Sequence, residues 1–150
     1  MPQRKALANQ NYHIYNRHHL KHTLFLNKVD TRKFKKSIEK YSLKHDISVE
    51  GFAIMDNHFH IMAKQSFQGN LSKFTWAIQK SYSQYYNHKY NKKGKVFEYS
   101  YKAIEISSLS YYQNLKKYIL LNPIDRILEI EAKNMTSSFD HFNFAPHFDG

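Results

Sequence analysis

The chain has 150 residues, enough for one domain around a single core, and its 41% apolar and 16% aromatic content excludes a disordered chain. It has no Cys, which excludes a disulfide framework and a thiolate metal site and fits a reducing cytoplasm. With 23 Lys and Arg against 12 Asp and Glu, its net charge of +11 predicts attraction to polyanions, with solubility as the plainer alternative.

The start, Met1-Pro2-Gln3-Arg4-Lys5, has no apolar leader, no run approaches a membrane span, and the cations form no amphipathic anchor. The expectation is a soluble, cytoplasmic domain over 1–150 with no membrane partner. Tyr12 to Asn16 alternates aromatic or apolar with polar residues and reads as a short strand, followed by a basic, His-rich loop from Arg17 to His22. Asp30 or Thr31 is suited to cap a helix running to about His45, with Phe34, Ile38, Tyr41 and Leu43 as its apolar stripe. Ile47 to Met55 is a β-branched and aromatic strand, Asp56-Asn57 a turn, and His58 to Lys64 a second strand, so the two form a hairpin.

Gly69-Asn70 breaks the chain before a long helix from about Leu71 to Tyr90, with Leu71, Phe74, Ile78, Tyr82 and Tyr85 at helical spacing. After the basic turn Asn91 to Lys95, Val96 to Ile106 reads as one or two strands. Ser108 or Ser110 caps a last helix that ends near Pro123, because the residue before Pro disfavours the α region. The polar and aromatic tail from about residue 132 takes no assigned element. Strand, helix, strand, strand, helix, strand, helix is a ferredoxin-like α+β order, with an antiparallel sheet and helices on one face.

Two features carry chemistry. His58 and His60 are one residue apart on a strand and so point to the same side, with Phe59 opposite. Tyr118 and Asn122 are four apart on a helix and share a face. Two imidazoles and an amide leave about half of an octahedral shell open for phosphate oxygens and water, which is a catalytic rather than a structural set. The plainer alternatives are two unconnected surface rings, a packing tyrosine and a C-terminal amide cap. A rival stands on the middle helix, where Tyr82, Tyr86 and Tyr90 lie four apart, like the two-tyrosine spacing of some replication nucleases. Packing on the sheet or on single-stranded bases is the preferred reading of those three.

Gly51-Phe52-Ala53-Ile54-Met55-Asp56-Asn57-His58-Phe59-His60-Ile61-Met62 resembles the MPNHFHLL signature of HUH single-tyrosine transposases. Tyr118-Ile119-Leu120-Leu121-Asn122-Pro123 resembles their YIHLNP block, and Tyr12 to Arg17 their opening strand YHVINRG. Leu71-Ser72-Lys73-Phe74 and Val96 to Lys102 sit where the LSRFM and WQGRYKS blocks belong. The likeness runs in order from about Tyr12 to Ile127 and is nearest to the REP-associated tyrosine transposases of the insertion-sequence-200-like superfamily. Asp56 stands in place of the usual Pro. Glu98-Tyr99-Ser100-Tyr101 replaces a run containing an Arg, which leaves Lys102 for phosphate, and His18-His19 replaces a Gly-Asn-type loop.

The resemblance implies a single-strand DNA transposase and endonuclease. His58, His60 and Asn122 would bind Mg²⁺ or Mn²⁺, and Tyr118 would attack the scissile phosphate to leave a 5′-phosphotyrosine beside a DNA hairpin. Lys102, Arg17, Lys73, Lys80 and Lys95 are the expected DNA-binding cations. The Asn-containing tyrosine block tilts the expectation toward a monomer rather than a homodimer. Two other classes remain: a nucleic-acid-binding module that has lost cleavage, and a metal-dependent phosphodiesterase that uses water.

Overall fold

The chain forms β1 (Asn11–Arg17), α1 (Lys28–Lys44), β2 (Ile47–Ile54), β3 (His58–Gln65), α2 (Leu71–Lys89), β4 (Ala103–Glu105) and α3 (Leu109–Leu121), in the expected order. This computed structural model describes residues 10–66, 69–100 and 102–121. The chain start, Tyr101, Asn122, the Pro123 helix stop and the tail from residue 132 lie outside the described residues.

The four strands form one antiparallel sheet in the order β2-β3-β1-β4, which is the ferredoxin-like arrangement. β3 and β1 are central, so a side chain on either is flanked by strands on both sides. Period-two alternation then divides the sheet. Tyr12, Ile14, Phe59, Ile61, Phe52 and Ile54 face α1 and α2 and pack against Phe34, Ile38, Leu71, Phe74, Ile78 and Tyr82. Tyr15, Ala53 and Met62 face the other way and pack against Leu115 and Ile119 of α3. Helices on one face therefore describes α1 and α2. α3 covers the opposite face, which is the histidine face.

Local details differ from the sequence reading where side-chain partners decide them. Asn27, not Asp30 or Thr31, caps α1: its side-chain oxygen accepts from the Asp30 N–H at 3.0 Å. Asp30 is drawn inward and accepts from the Leu26 N–H instead. Leu43 is 85% exposed and leaves the apolar stripe. Between Val49 and Gly51 the β2–β3 register shifts, a bulge that leaves Glu50 to accept from the Tyr112 hydroxyl at 2.8 Å. Among the described residues, the segment from Val96 to Ile106 contributes β4 and one bridge from Phe97 to His18, beside which the Val96 carbonyl accepts from the His19 N–H at 2.9 Å and the Glu98 N–H donates to the Arg17 carbonyl at 2.8 Å. Gly69 is required by close approach, since a Cβ there would lie 2.5 Å from the Asp46 carbonyl oxygen. Ser108 does cap α3, accepting from the Tyr111 N–H at 3.1 Å.

Candidate active site

The site begins with strand alternation. His58 pairs across the sheet with Arg17, and His60 with Tyr15. The Tyr15 N–H donates to the Lys102 carbonyl at 3.1 Å, which continues the β1–β4 register and sets Lys102 opposite Tyr15. Ala53, His60, Tyr15 and Lys102 thus form one row across three strands and the residue that leads into β4. The turn before His58 is pinned to the His-rich loop: Asp56 O accepts from the Leu24 and Phe25 N–H groups at 2.7 and 2.9 Å, and Asn57 O from the His18 N–H at 2.9 Å. His58 therefore sits on a braced turn rather than a free one.

The two imidazoles lie with ring centroids 5.3 Å apart and planes at 74°. His58 Nδ1 is 2.7 Å from the Asn57 side-chain oxygen. That oxygen only accepts, so His58 carries its proton on Nδ1 and its lone pair on Nε2. His60 is fully buried, and its Nδ1 meets His13 Nε2 at 2.9 Å. Burial, then the charges of His13 and His58, hold the His60 pKa well below the usual histidine range, so the ring is neutral. Neutral imidazole is the form that ligates a metal. The donor set fits a divalent ion held through the two Nε2 atoms. Among the described residues no three His, Cys, Asp or Glu converge on one point, so a closed cage is not built, and an amide third ligand is compatible with this.

α3 brings Tyr118 onto this pair. Leu115 and Ile119 anchor the helix in the core on the histidine face, and that docking turns Tyr118 to the His60 ring, with centroids 4.7 Å apart and planes at 60°. Tyr118 is half-buried, and burial raises its pKa. One further contact was not anticipated. Tyr111, two turns before Tyr118 on the same helix, places its hydroxyl 2.9 Å from His13 Nδ1. Sequence reading assigned His13 no role. The available signal was a His on the histidine face of a strand buried along most of its length.

The expected cations divide. Arg17 neighbours His58 across the sheet but forms an ion pair with Glu98. Lys102 is exposed and lies over the Tyr99 ring at 4.7 Å. Asn16 fixes that neighbourhood from below. Its amide donates to Gln79 and to the Tyr99 carbonyl and accepts from the Tyr99 N–H, while Gln79 donates to the Ser100 carbonyl. Lys73 and Lys80 belong to a groove between α1 and α2, with Trp76 and Lys44, on the far side of the sheet. Lys95 is exposed in the turn after α2. Asn122 lies outside the described residues, one position beyond the end of α3.

The middle-helix tyrosines are tied down. Tyr82 donates to the Leu24 carbonyl at 2.7 Å, Tyr86 to the Thr23 carbonyl at 3.0 Å, and Tyr90 to Asp30. All belong to the core under the opposite face or pack against it. The packing reading holds for them.

Comparison with known proteins agrees with this fold. A solved REP-associated tyrosine transposase bound to a REP hairpin superimposes with a TM-score of 0.75 at 12% identity, covering 97% of this chain and 94% of that one. A candidate transposase from Deinococcus radiodurans matches with a TM-score of 0.55 at 14% identity, covering 79% of this chain and 95% of that one. At these identities the likeness speaks for the fold. No curated protein sequence matches. Residues 6–122 match the family described as Transposase IS200 like, a span that contains every described strand and helix together with His58, His60, Tyr118 and Asn122, and the chain belongs to that family of transposases.

Proposed function

We propose that this transposase cleaves and rejoins single-stranded DNA through Tyr118, at a divalent-ion site made by His58, His60 and Asn122. The observation that carries the reading is the contact of the Tyr118 ring with His60, made by a helix docked on the histidine face through Leu115 and Ile119. The Tyr118 oxygen forms a bond to phosphorus while the bond from phosphorus to the 3′-oxygen breaks. The phenolic proton is lost, the 3′-oxygen gains one, and the strand is left as a 5′-phosphotyrosine and a free 3′-OH. Reversal with a different 3′-OH rejoins DNA without ATP, because one phosphoester replaces another.

Mg²⁺ or Mn²⁺, when bound, supplies a Lewis acid beside the scissile phosphate. The protein supplies the rest. A phenol has an ordinary pKa of about 10, and burial raises that of Tyr118, so the anion needs positive charge nearby. Lys102, in the same cross-strand row as His60, is the side chain suited to that task. Arg17 and Lys102 would guide the backbone on the histidine face, with Lys73, Lys80 and Lys95 as outlying contacts. A net charge of +11 favours a polyanion, and the solved relative bound to a REP hairpin supports a hairpin beside the cut. We propose a monomer, for which sedimentation at micromolar concentration is the check.

The test is a labelled single strand carrying a hairpin, incubated with the protein and Mn²⁺ and run on a denaturing gel. A covalent protein–DNA band supports the reading. Free cleaved DNA without that band indicates attack by water, and retention without cleavage indicates a binding module.

A further inference from the structure

We infer that His13 and Tyr111 are positioning residues that hold His60 in the tautomer with its proton on Nδ1, so that the Nε2 lone pair faces the ion. The inference rests on the metal-site reading above and deepens it. His58 and His60 are held differently. His58 faces an amide oxygen that only accepts, which fixes its tautomer. His60 faces another imidazole, which accepts in one tautomer and donates in the other.

The chain His60 Nδ1, His13 Nε2, His13 Nδ1, Tyr111 Oη is continuous, with 2.9 Å at each hydrogen bond. The two imidazole planes differ by only 13°, so the shared hydrogen bond lies close to both ring planes. Such a chain has two internally consistent directions. In one, His60 Nδ1–H donates to His13 Nε2, and His13 Nδ1–H donates to the Tyr111 oxygen. In the other, Tyr111 donates to His13, His13 donates to His60, and the His60 proton sits on Nε2, where it blocks ligation. Only the first gives two Nε2 lone pairs on one face.

His13 and His60 are both fully buried, so solvent does not average the two directions. Tyr111 comes from α3, the helix that carries Tyr118, so docking of that helix completes the chain that prepares the ligand. A partner of this kind on a metal histidine typically contributes about 10–100-fold in affinity.

The experiment uses the full chain with ¹⁵N-labelled histidine. Long-range ¹H–¹⁵N correlation of the metal-free protein reads each tautomer, and Mn²⁺ affinity is measured by electron paramagnetic resonance. Wild type should show His60 and His13 protonated on Nδ1. His13→Leu should lose that His60 signature and bind Mn²⁺ about 10–100-fold more weakly. His13→Gln, whose amide oxygen reaches near the former Nε2, should restore both. Tyr111→Phe, which keeps the ring and so the packing, should fall between. Circular dichroism confirms that each variant is folded. A wild-type His60 protonated on Nε2, or unchanged Mn²⁺ affinity in a folded His13→Leu, overturns the inference. If His60→Ala binds Mn²⁺ as wild type does, the metal site fails, and the tautomer signals still decide the roles of His13 and Tyr111.

Discussion

Two tyrosine-bearing helices cover opposite faces of the same sheet. On α2 the phenols of Tyr82 and Tyr86 are donors to backbone carbonyls, and those of Tyr85 and Tyr90 are donors to Asp30. Burial raises their pKa values, and the Asp30 charge adds to the rise. On α3, Tyr111 and Tyr118 meet imidazoles, and for Tyr118 burial is the cause of the raised value. Residue type and helical spacing are alike on the two helices. The surroundings separate them: a phenol committed to a fixed acceptor beside a carboxylate is the wrong group to become an anion, whereas the Tyr118 ring packs on the imidazole of His60.

The sharpest way to break that contrast is to remove each hydroxyl in turn. Tyr118→Phe should abolish the covalent adduct while keeping the fold and DNA binding, since the ring still fills its place. Tyr82→Phe, Tyr86→Phe and Tyr90→Phe should each keep adduct formation. An adduct that survives in Tyr118→Phe would reverse the assignment of the two faces.

Asn122→Ala should have a smaller effect. It removes one proposed ligand and leaves both histidines, so cleavage should fall and partly recover at high Mn²⁺. A loss that Mn²⁺ does not relieve would argue that Asn122 acts on DNA or on the helix end instead.

Much of this arrangement was legible in the sequence because it depends on short-range periodicity. The alternation of His58, Phe59 and His60 on β3 separated site from core, and the helical spacing of Leu71, Phe74 and Ile78 defined the buried side of α2. What was not legible depends on distant partners. His13 meets His60 across 47 positions of sequence and Tyr111 across 98. Asn16 meets Gln79 across 63, and that tether adds to the backbone bonds beside the Phe97–His18 bridge in holding the segment before Lys102. The face covered by α3 is set by Tyr15, Ala53 and Met62, which single strands read only as isolated apolar positions. The cap of α1 was missed for the same reason: Asp30 fits a cap by residue type, but Tyr85, Lys89 and Tyr90 claim its carboxylate.

That carboxylate gives the next prediction. Burial pushes the Asp30 pKa up, but hydrogen bonds from Lys89, Tyr90, Tyr85 and the Leu26 N–H outweigh it and hold the value below 3.8. A folded value below the unfolded one means that the contribution is complete above 3.8 and is lost as pH falls through the folded value. Asp30→Asn should therefore flatten the acid side of the stability curve. Asp30→Ala should cost about 2–4 kcal/mol at neutral pH, since a fully buried carboxylate that accepts from Leu26, Tyr85, Lys89 and Tyr90 is removed. Urea titrations across acidic pH measure both. Adduct formation by the folded fraction should be unaffected, because Asp30 stands under the face away from the histidines.

The smallest effects expected are those of Tyr82→Phe and Tyr86→Phe on stability, and they test the comparison most directly. Tyr82 is fully buried, and its ring packs against Phe25 and Phe34, which the substitution preserves. Only the hydroxyl is lost, together with its bond to the Leu24 carbonyl. A buried carbonyl left without that donor costs about 1–2 kcal/mol, a fall in Tm of roughly 2–8 °C for a domain of this size. Tyr86→Phe should cost less, because its bond to the Thr23 carbonyl is longer and only part-buried. Thermal unfolding and the adduct assay on the same preparations give the answer. A lower Tm with full adduct formation makes the α2 phenols structural. An unchanged Tm with lost adduct would make one of them the nucleophile and return Tyr118 to packing.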